Sequence, residues 1–205
     1  YEANGLRSDA IRHALAAGDV DRAAGLVEVA ALLMLGSSQE DMLYSWLTAI
    51  PNETVRARPV LSVYYAFAAF GREGFDAAEF RLQDAKRWLD PPPDAGAGSE
   101  MVVVDEAAFR SLPGTIAIAR AYHAGATGNV DGIVTYARRA LDLLPEGDNL
   151  WRAAAAALLG IGSWTIGELE AAHRNFADGR ARLERSGYTQ FQISSVHILA
   201  EIRVA

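Results

Sequence analysis

Four histidines are the side chains of this sequence best suited to proton transfer or metal binding: His13, His123, His173 and His197. None of them stands in an HExxH motif. The sequence has no cysteine, which excludes thiolate ligands and thiol nucleophiles. The histidines fall on different predicted helices, so a structural or surface role is favoured for each. We therefore expect no catalytic residue, no metal site and no enzymatic activity.

Two further patterns resemble functional motifs but lack the required context. Glu168 and Glu170 stand at the start of a predicted helix, where negative charge favours the helix dipole. The Gly160–Gly162 segment, GIG, lies inside a predicted helix and lacks the strand–turn–helix setting of a dinucleotide-binding loop. We therefore expect neither a pair of acid–base carboxylates nor a cofactor bound to this chain.

The charge distribution argues against direct binding to nucleic acid. The formal net charge is −7, and Lys86 is the only lysine. The densest basic stretch is interrupted by Asp178 and Glu184, whereas a phosphate-binding surface needs clustered positive charge; its members are Arg174, Arg180, Arg182 and Arg185. The longest apolar run, Ala153–Gly162, is shorter than the roughly 20 residues that span a bilayer. These features favour a cytoplasmic protein that does not contact membranes.

Hydrophobic periodicity predicts helices along the whole chain and no pair of strands. Alanine dominates the 51% of hydrophobic residues, and alanine is the best helix former. Glycine and proline predict where the helices end. The predicted helices cover residues 8–17, 19–35, 38–50, 59–70, 75–89, 106–125, 130–144, 149–166, 168–186 and 189–204, with one short helical turn within 52–58 and a bend or break at Pro113.

One spacing recurs along the chain. Counting from Gly128 in steps of five, four, three and five residues gives Ile133, Ala137, Ala140 and Pro145. This is the spacing of the second helix of a tetratricopeptide repeat, in which a glycine turns the chain and small residues occupy the close crossing of two helices. The same steps give further sets: Gly167 with Ala172, Phe176 and Gly179; Gly18 with Ala23, Val27 and Ala30; Glu73, beside Gly74, with Ala78, Leu82 and Ala85.

These repeats predict an all-α domain of stacked helical hairpins. A single hairpin cannot bury its own apolar face, whereas stacked hairpins bury a continuous core. The first small position recurs after 55, 55 and 39 residues, against roughly 34 in the standard repeat. We therefore predict an irregular right-handed superhelix of about ten tetratricopeptide-like helices. It forms a single domain over residues 1–205, excised from a longer chain, with a mobile proline-rich loop at 91–99.

Several segments resemble large bacterial LuxR-type transcriptional regulators related to the maltose regulator MalT. The opening 1–28 is similar to the start of their helical-repeat region. The segment 46–79, with its WLTAIP and VRARPVL runs, resembles the part that follows, and 128–148 and 167–187 resemble later repeats. The resemblance covers most of the chain and fails at 90–104.

The resemblance implies a signal-receiving region that binds a small-molecule inducer or a protein partner. In that family an N-terminal ATPase and a C-terminal DNA-binding domain act with the repeat region, and the active form self-associates. This chain has no GxxxxGK[ST] loop, so ATP is expected on another module of the parent protein. The alternative is a free-standing repeat scaffold that binds a peptide or partner protein.

The repeat spacing also predicts a ligand-binding groove. In stacked hairpins the first helix of each pair lines the concave side. The residues at the corresponding positions are mainly aromatic, and aromatic side chains offer a large contact area. They are Phe67, Phe70, Tyr122, Ile161 and Trp164. Arg120 and His123 could add polar contacts to the same groove. The competing interpretation is that these residues fill the core between the helices, because a register error of one residue exchanges core for groove.

Overall fold

A computed structural model describes residues 2–35, 39–90 and 100–188, and for residues 2–6 the backbone only. Every regular element in these ranges is a helix, and ten are present. They are α1 (Glu2–Ala16), α2 (Val20–Leu35), α3 (Glu40–Ala49), α4 (Asn52–Arg56), α5 (Pro59–Ala69), α6 (Phe75–Lys86), α7 (Glu106–Ala126), α8 (Val130–Leu143), α9 (Asn149–Thr165) and α10 (Leu169–Ser186). The all-α class and the helix count are thereby confirmed.

The helix bounds differ most clearly from the prediction in α1, α6 and α7. Helix α1 begins at Glu2, whereas the prediction began it at Ser8, because the polar and glycine-containing opening gives no apolar periodicity from which to predict a helix. Helix α6 ends at Lys86, three residues before the predicted end at Leu89, and the five-residue α4 matches the short helical turn predicted within 52–58. Helix α7 continues through Pro113 without a break. The predicted loop at 91–99, the predicted Ser38 cap and the predicted helix at 189–204 lie outside the described residues.

The chain divides into two compact units, Tyr1–Phe109 and Arg110–Ala205, with the division inside α7. In the first unit, α1 packs against α2, and α5 packs against both α2 and α6. In the second unit, α9 packs against both α8 and α10. The pairs α1–α2, α5–α6, α8–α9 and α9–α10 are therefore neighbours both in sequence and in space, as in helical hairpins.

Tight turns at glycines connect these helix pairs. Gly18, Gly128 and Gly167 have φ of +69°, +72° and +81°, and each stands two residues before the next helix. Such left-handed backbone is readily adopted by glycine but strained in other residues. In the fourth set the left-handed residue is Gly74, with φ +84°, and it directly precedes α6. The predicted turn positions are confirmed, with the shift of one residue that the sequence indicates at Glu73–Gly74.

The small residues of the repeat form the interior of each helix pair. Ala23, Ala78 and Ala172 are fully buried, and Ile133 is 4% exposed. The later positions of the four sets are buried as well: Val27, Ala30, Leu82, Ala85, Ala137, Ala140, Phe176 and Gly179. The spacing therefore identified the core-facing stripe of the second helix in each of the four pairs.

Close crossing of α9 and α10 depends on two glycines. A Cβ at Gly160 would lie 2.8 Å from the Phe176 ring, and one at Gly179 would lie 3.1 Å from the Ala153 carbonyl oxygen. Ala172 and Phe176 pack against Ala157 and Ile161 in this crossing. The absence of a side chain at these points is what lets the two helix backbones approach.

Candidate binding surfaces

The seven predicted groove residues are divided between the two units. Phe67 and Phe70 lie on or directly after α5 in the first unit, and the other five lie on α7 and α9 in the second. The rings of Phe67 and Phe70 meet edge to face at 6.0 Å, and Phe70 is 5.7 Å from Phe75. Both Phe67 and Phe70 are partly buried, so in this unit they pack with each other as well as reaching the surface.

In the second unit two of the predicted residues are well exposed. Tyr122 is 48% exposed and Trp164 is 41% exposed, whereas Arg120 and His123 are partly buried. Ile161 packs against the Ala172–Phe176 core. Tyr122 and Trp164 therefore offer aromatic surface to a ligand, while Ile161 contributes to the contact between α9 and α10.

An exposed apolar patch surrounds the α9–α10 turn. Ile166 is 56% exposed and Leu169 is 39% exposed, and both stand close in sequence to the exposed Trp164. Beside them, an open depression of about 370 Å³ is lined by Leu169, Glu170, His173 and Arg174. Arg174 is paired with Glu170 at 3.7 Å. This patch is shallow and open, which suits contact with another polypeptide better than enclosure of a small molecule.

A cluster of arginines around Asp84, which the sequence analysis did not predict, forms a second surface in the first unit. The Asp84 carboxylate on α6 is fully buried. Arg56 Nε on α4 lies 3.3 Å from it, Arg81 Nη1 lies 3.8 Å from it, and Arg87 donates a hydrogen bond to it. The carboxylate thus ties α4 to α6 and collects three guanidinium groups at one place.

Aromatic rings adjoin these arginines. The guanidinium of Arg81 stacks 4.2 Å from the centre of the Tyr65 ring, and that of Arg56 lies 5.1 Å from the centre of the Phe80 ring. Tyr65 is buried, whereas Phe80 is 46% exposed. A cation over an aromatic face is favourable, more so where water is excluded. We call the group formed by Arg56, Phe80, Arg81, Asp84 and Arg87 the arginine–phenylalanine surface.

Tyr44 on α3 connects this region to a further ion pair. Its ring meets Tyr65 edge to face at 6.1 Å, and its hydroxyl donates a hydrogen bond to Glu73. That bond to the Glu73 carboxylate, the largest cause, raises the pKa of Tyr44 to about 12. Arg72 stacks over the Tyr44 ring and pairs with Asp41. Tyr44 therefore stays protonated and acts as a hydrogen-bond donor at neutral pH.

A second buried charged group lies between α2 and α5. Glu28 is 4% exposed and Arg58 is 5% exposed, and Arg58 Nη1 lies 3.8 Å from Glu28 Oε2. Among the described residues, neither Glu28 oxygen has a hydrogen-bond donor at bonding geometry. Burial, reinforced by the charge of Asp105, raises the pKa of Glu28 to about 7, although Arg58 and the nearby backbone of Val104 favour the ionised form. Because Glu28 lies between α2 and α5, its protonation state makes the stability of their packing depend on pH.

Sequence patterns could have revealed part of the Asp84 cluster. Arg81, Asp84 and Arg87 are spaced three residues apart, so they lie on one face of α6 and of the capping residue that follows it. Arg56 is 28 residues away in sequence, and only the packing of α4 on α6 brings it to the same carboxylate. The cluster as a whole therefore depends on tertiary structure.

Metal-binding groups and membrane-spanning helices can be assessed for the described ranges alone. No group of three or more His, Asp or Glu side chains that could hold a metal ion occurs in residues 2–35, 39–90 and 100–188. Within these same ranges, no helix combines the length and the apolar character needed to cross a bilayer. Of the four histidines, His13, His123 and His173 lie on α1, α7 and α10, and His197 lies outside the described residues.

Comparisons of this chain with protein-family models, with curated proteins and with solved structures find no match.

Proposed function

We propose that this chain is a tetratricopeptide-like binding domain that receives a signal for a LuxR-type, MalT-like transcriptional regulator. The observation that carries the proposal is the fourfold recurrence of one unit: a left-handed glycine, a second helix and a buried stripe of small residues. Stacked units of this kind present extended surfaces to ligands and partners. The resemblance of the 1–28 and 46–79 segments to the repeat region of these regulators supports the assignment to that class.

In this proposal the chain binds and does not catalyse. Its exposed surfaces combine aromatic, apolar and basic side chains, at Tyr122, Trp164 and the arginine–phenylalanine surface. The ATPase and the DNA-binding helices belong to other modules of the parent protein, and the inducer or partner acts through this domain in the cytoplasm. The irregular repeat spacing favours local binding surfaces over one smooth peptide-holding groove.

The parent gene provides the direct test of the regulator assignment. The expected result is a reading frame that encodes a phosphate-binding loop upstream of this segment and a helix-turn-helix downstream of it. A complete frame lacking both modules would overturn the assignment.

The exposed apolar patch at Trp164, Ile166 and Leu169 favours the alternative, a free-standing scaffold that binds a partner protein. A thermal-shift screen separates the two functions. A sugar or other metabolite that raises the melting temperature with dose supports the sensor, because a ligand that binds only the folded state stabilises it. Stabilisation by peptides alone supports the scaffold.

A further inference from the structure

The arginine–phenylalanine surface has more hydrogen-bond donors than its own carboxylate can satisfy. Asp84 is the one acid in direct contact with Arg56, Arg81 and Arg87 within the described residues. A guanidinium carries five N–H donors, whereas a carboxylate offers about four acceptor positions. Arg81 gives one donor to Asn52 at 2.7 Å, but its Nη1 is buried and has no hydrogen-bond partner among the described residues. The three guanidinium groups therefore carry more donors than Asp84 and Asn52 can accept.

The cluster also carries uncompensated positive charge at the surface. Three guanidinium groups against one carboxylate leave two positive charges, in a chain whose formal net charge is −7. The Arg56 and Arg87 side chains are 45% and 56% exposed, so their free donors can reach solvent. Guanidinium groups bind carboxylates in bidentate geometry. An acidic ligand is the natural complement of this charge.

An exposed aromatic ring adjoins the charge. Phe80 is 46% exposed, and the guanidinium groups of Arg56 and Arg81 lie 5.1 and 5.9 Å from its ring centre. A ligand that pairs with the arginines can therefore place an apolar side chain on Phe80. Because Arg56, Phe80 and Arg87 are each about half exposed, the surface is open and suits an extended chain lying across it.

We propose that the arginine–phenylalanine surface binds an acidic polypeptide segment, with carboxylates held by Arg56 and Arg87 and an apolar side chain on Phe80. The inference rests on the proposed function as a binding domain and names the chemistry of one partner. Asp84 fixes the arginines in place and is not itself exposed to the ligand.

The experiment measures fluorescence anisotropy of a labelled peptide of repeated Glu-Leu-Asp triplets with the full 205-residue chain. Arg56→Gln and Arg87→Gln each remove one charged donor and should each weaken binding about tenfold, the effect of one charge-assisted hydrogen bond. Rising salt should weaken binding as well. The matched control is Arg180→Gln, which removes the same charge from a 53% exposed arginine in the second unit and should leave binding unchanged. Circular dichroism of each variant verifies that it is folded.

Three results would overturn the inference: no binding of the acidic peptide to the folded chain, equal binding of a peptide with Gln and Asn in place of Glu and Asp, or equal loss with Arg180→Gln. A peptide with Gly in place of Leu that binds as tightly as the original, and is displaced by inorganic phosphate, would show a simple anion site instead. A parent gene without regulator modules overturns the proposed regulator role and leaves this result standing, so the two failures are distinguishable.

Discussion

Replacing Glu28 by glutamine should make the protein more stable at neutral and alkaline pH. The carboxylate is buried beside Arg58, no described residue donates a hydrogen bond to it at bonding geometry, and burial raises its pKa from 4.5 to about 7. Since the pKa is higher in the folded state, the folded chain keeps a proton that the unfolded chain has released between these two pH values. Stability from this group is complete below pH 4.5 and is lost as pH rises through about 7.

The size of this effect follows from the two pKa values. A rise from 4.5 to about 7 makes the ionised folded state about 3 kcal/mol less favourable than it would be with an unshifted carboxyl. This figure already contains the attraction of Arg58 and the repulsion of Asp105, because both contribute to the pKa. Glutamine has the shape of the protonated acid and cannot ionise. The Glu28→Gln protein should therefore not show the decrease in stability that ionisation of Glu28 causes as pH rises.

Urea unfolding near pH 5 and near pH 8 measures the effect. We expect Glu28→Gln to raise the free energy of unfolding by about 3 kcal/mol near pH 8 and by less than about 1 kcal/mol near pH 5. Glu170→Gln, which changes a 96% exposed carboxylate, is the control and should show almost no difference at either pH. A Glu28→Gln protein that is less stable near pH 8 would refute the reasoning, because attraction to Arg58 would then outweigh burial.

Three further predictions concern packing, turns and helix ends. Gly160→Ala should lower stability by about 1 kcal/mol in urea unfolding, because its Cβ would lie 2.8 Å from Phe176; Gly147→Ala, with no atom within 4 Å, is the control and should be nearly neutral. Gly128→Ala should cost about 1 kcal/mol at φ +72°, and Gly128→Asn should cost less, because asparagine tolerates this backbone; equal losses would point away from backbone strain. Arg152→Ala should cost about 2–3 kcal/mol by removing the donor that serves two carbonyls at 2.9 Å, and Arg152→Lys should recover part of it; an unchanged urea midpoint for Arg152→Ala would show that water replaces the donor.

Local sequence features predicted the helices and their cores well. The glycine turns and the small residues follow fixed spacings within one helix pair, so Gly128 and Ala137 could be assigned from neighbouring residues alone. Positions set by tertiary packing could not be assigned in this way. The start of α1 at Glu2 and the continuity of α7 through Pro113 both run against local propensity.

The candidate surfaces also depend on tertiary packing that local spacing does not determine. Tyr122 and Trp164 were predicted as groove residues from repeat position, and both are well exposed. Ile161, from the same rule, packs instead against α10. An alternation of groove and core along one helix is sensitive to a rotation of one residue, about a quarter of a helical turn. The spacing therefore predicts the helix on which each residue lies, while the environment of its side chain depends on how the helices are rotated against each other.

The buried charges help to specify how these alanine-rich helices pair. Alanine crossings bring helices close but are alike in shape, because Ala23, Ala78 and Ala172 each present a single methyl group. A stripe of similar methyl groups discriminates weakly between alternative registers, whereas a displaced pairing would separate Asp84 from Arg56 or leave Glu28 buried without Arg58. The alanines thus account for close approach, and the buried carboxylates account for which helix faces which. Two of the arginines that contact Asp84, Arg56 and Arg87, extend to solvent, so the same carboxylate that fixes α6 on α4 also holds a basic surface in place.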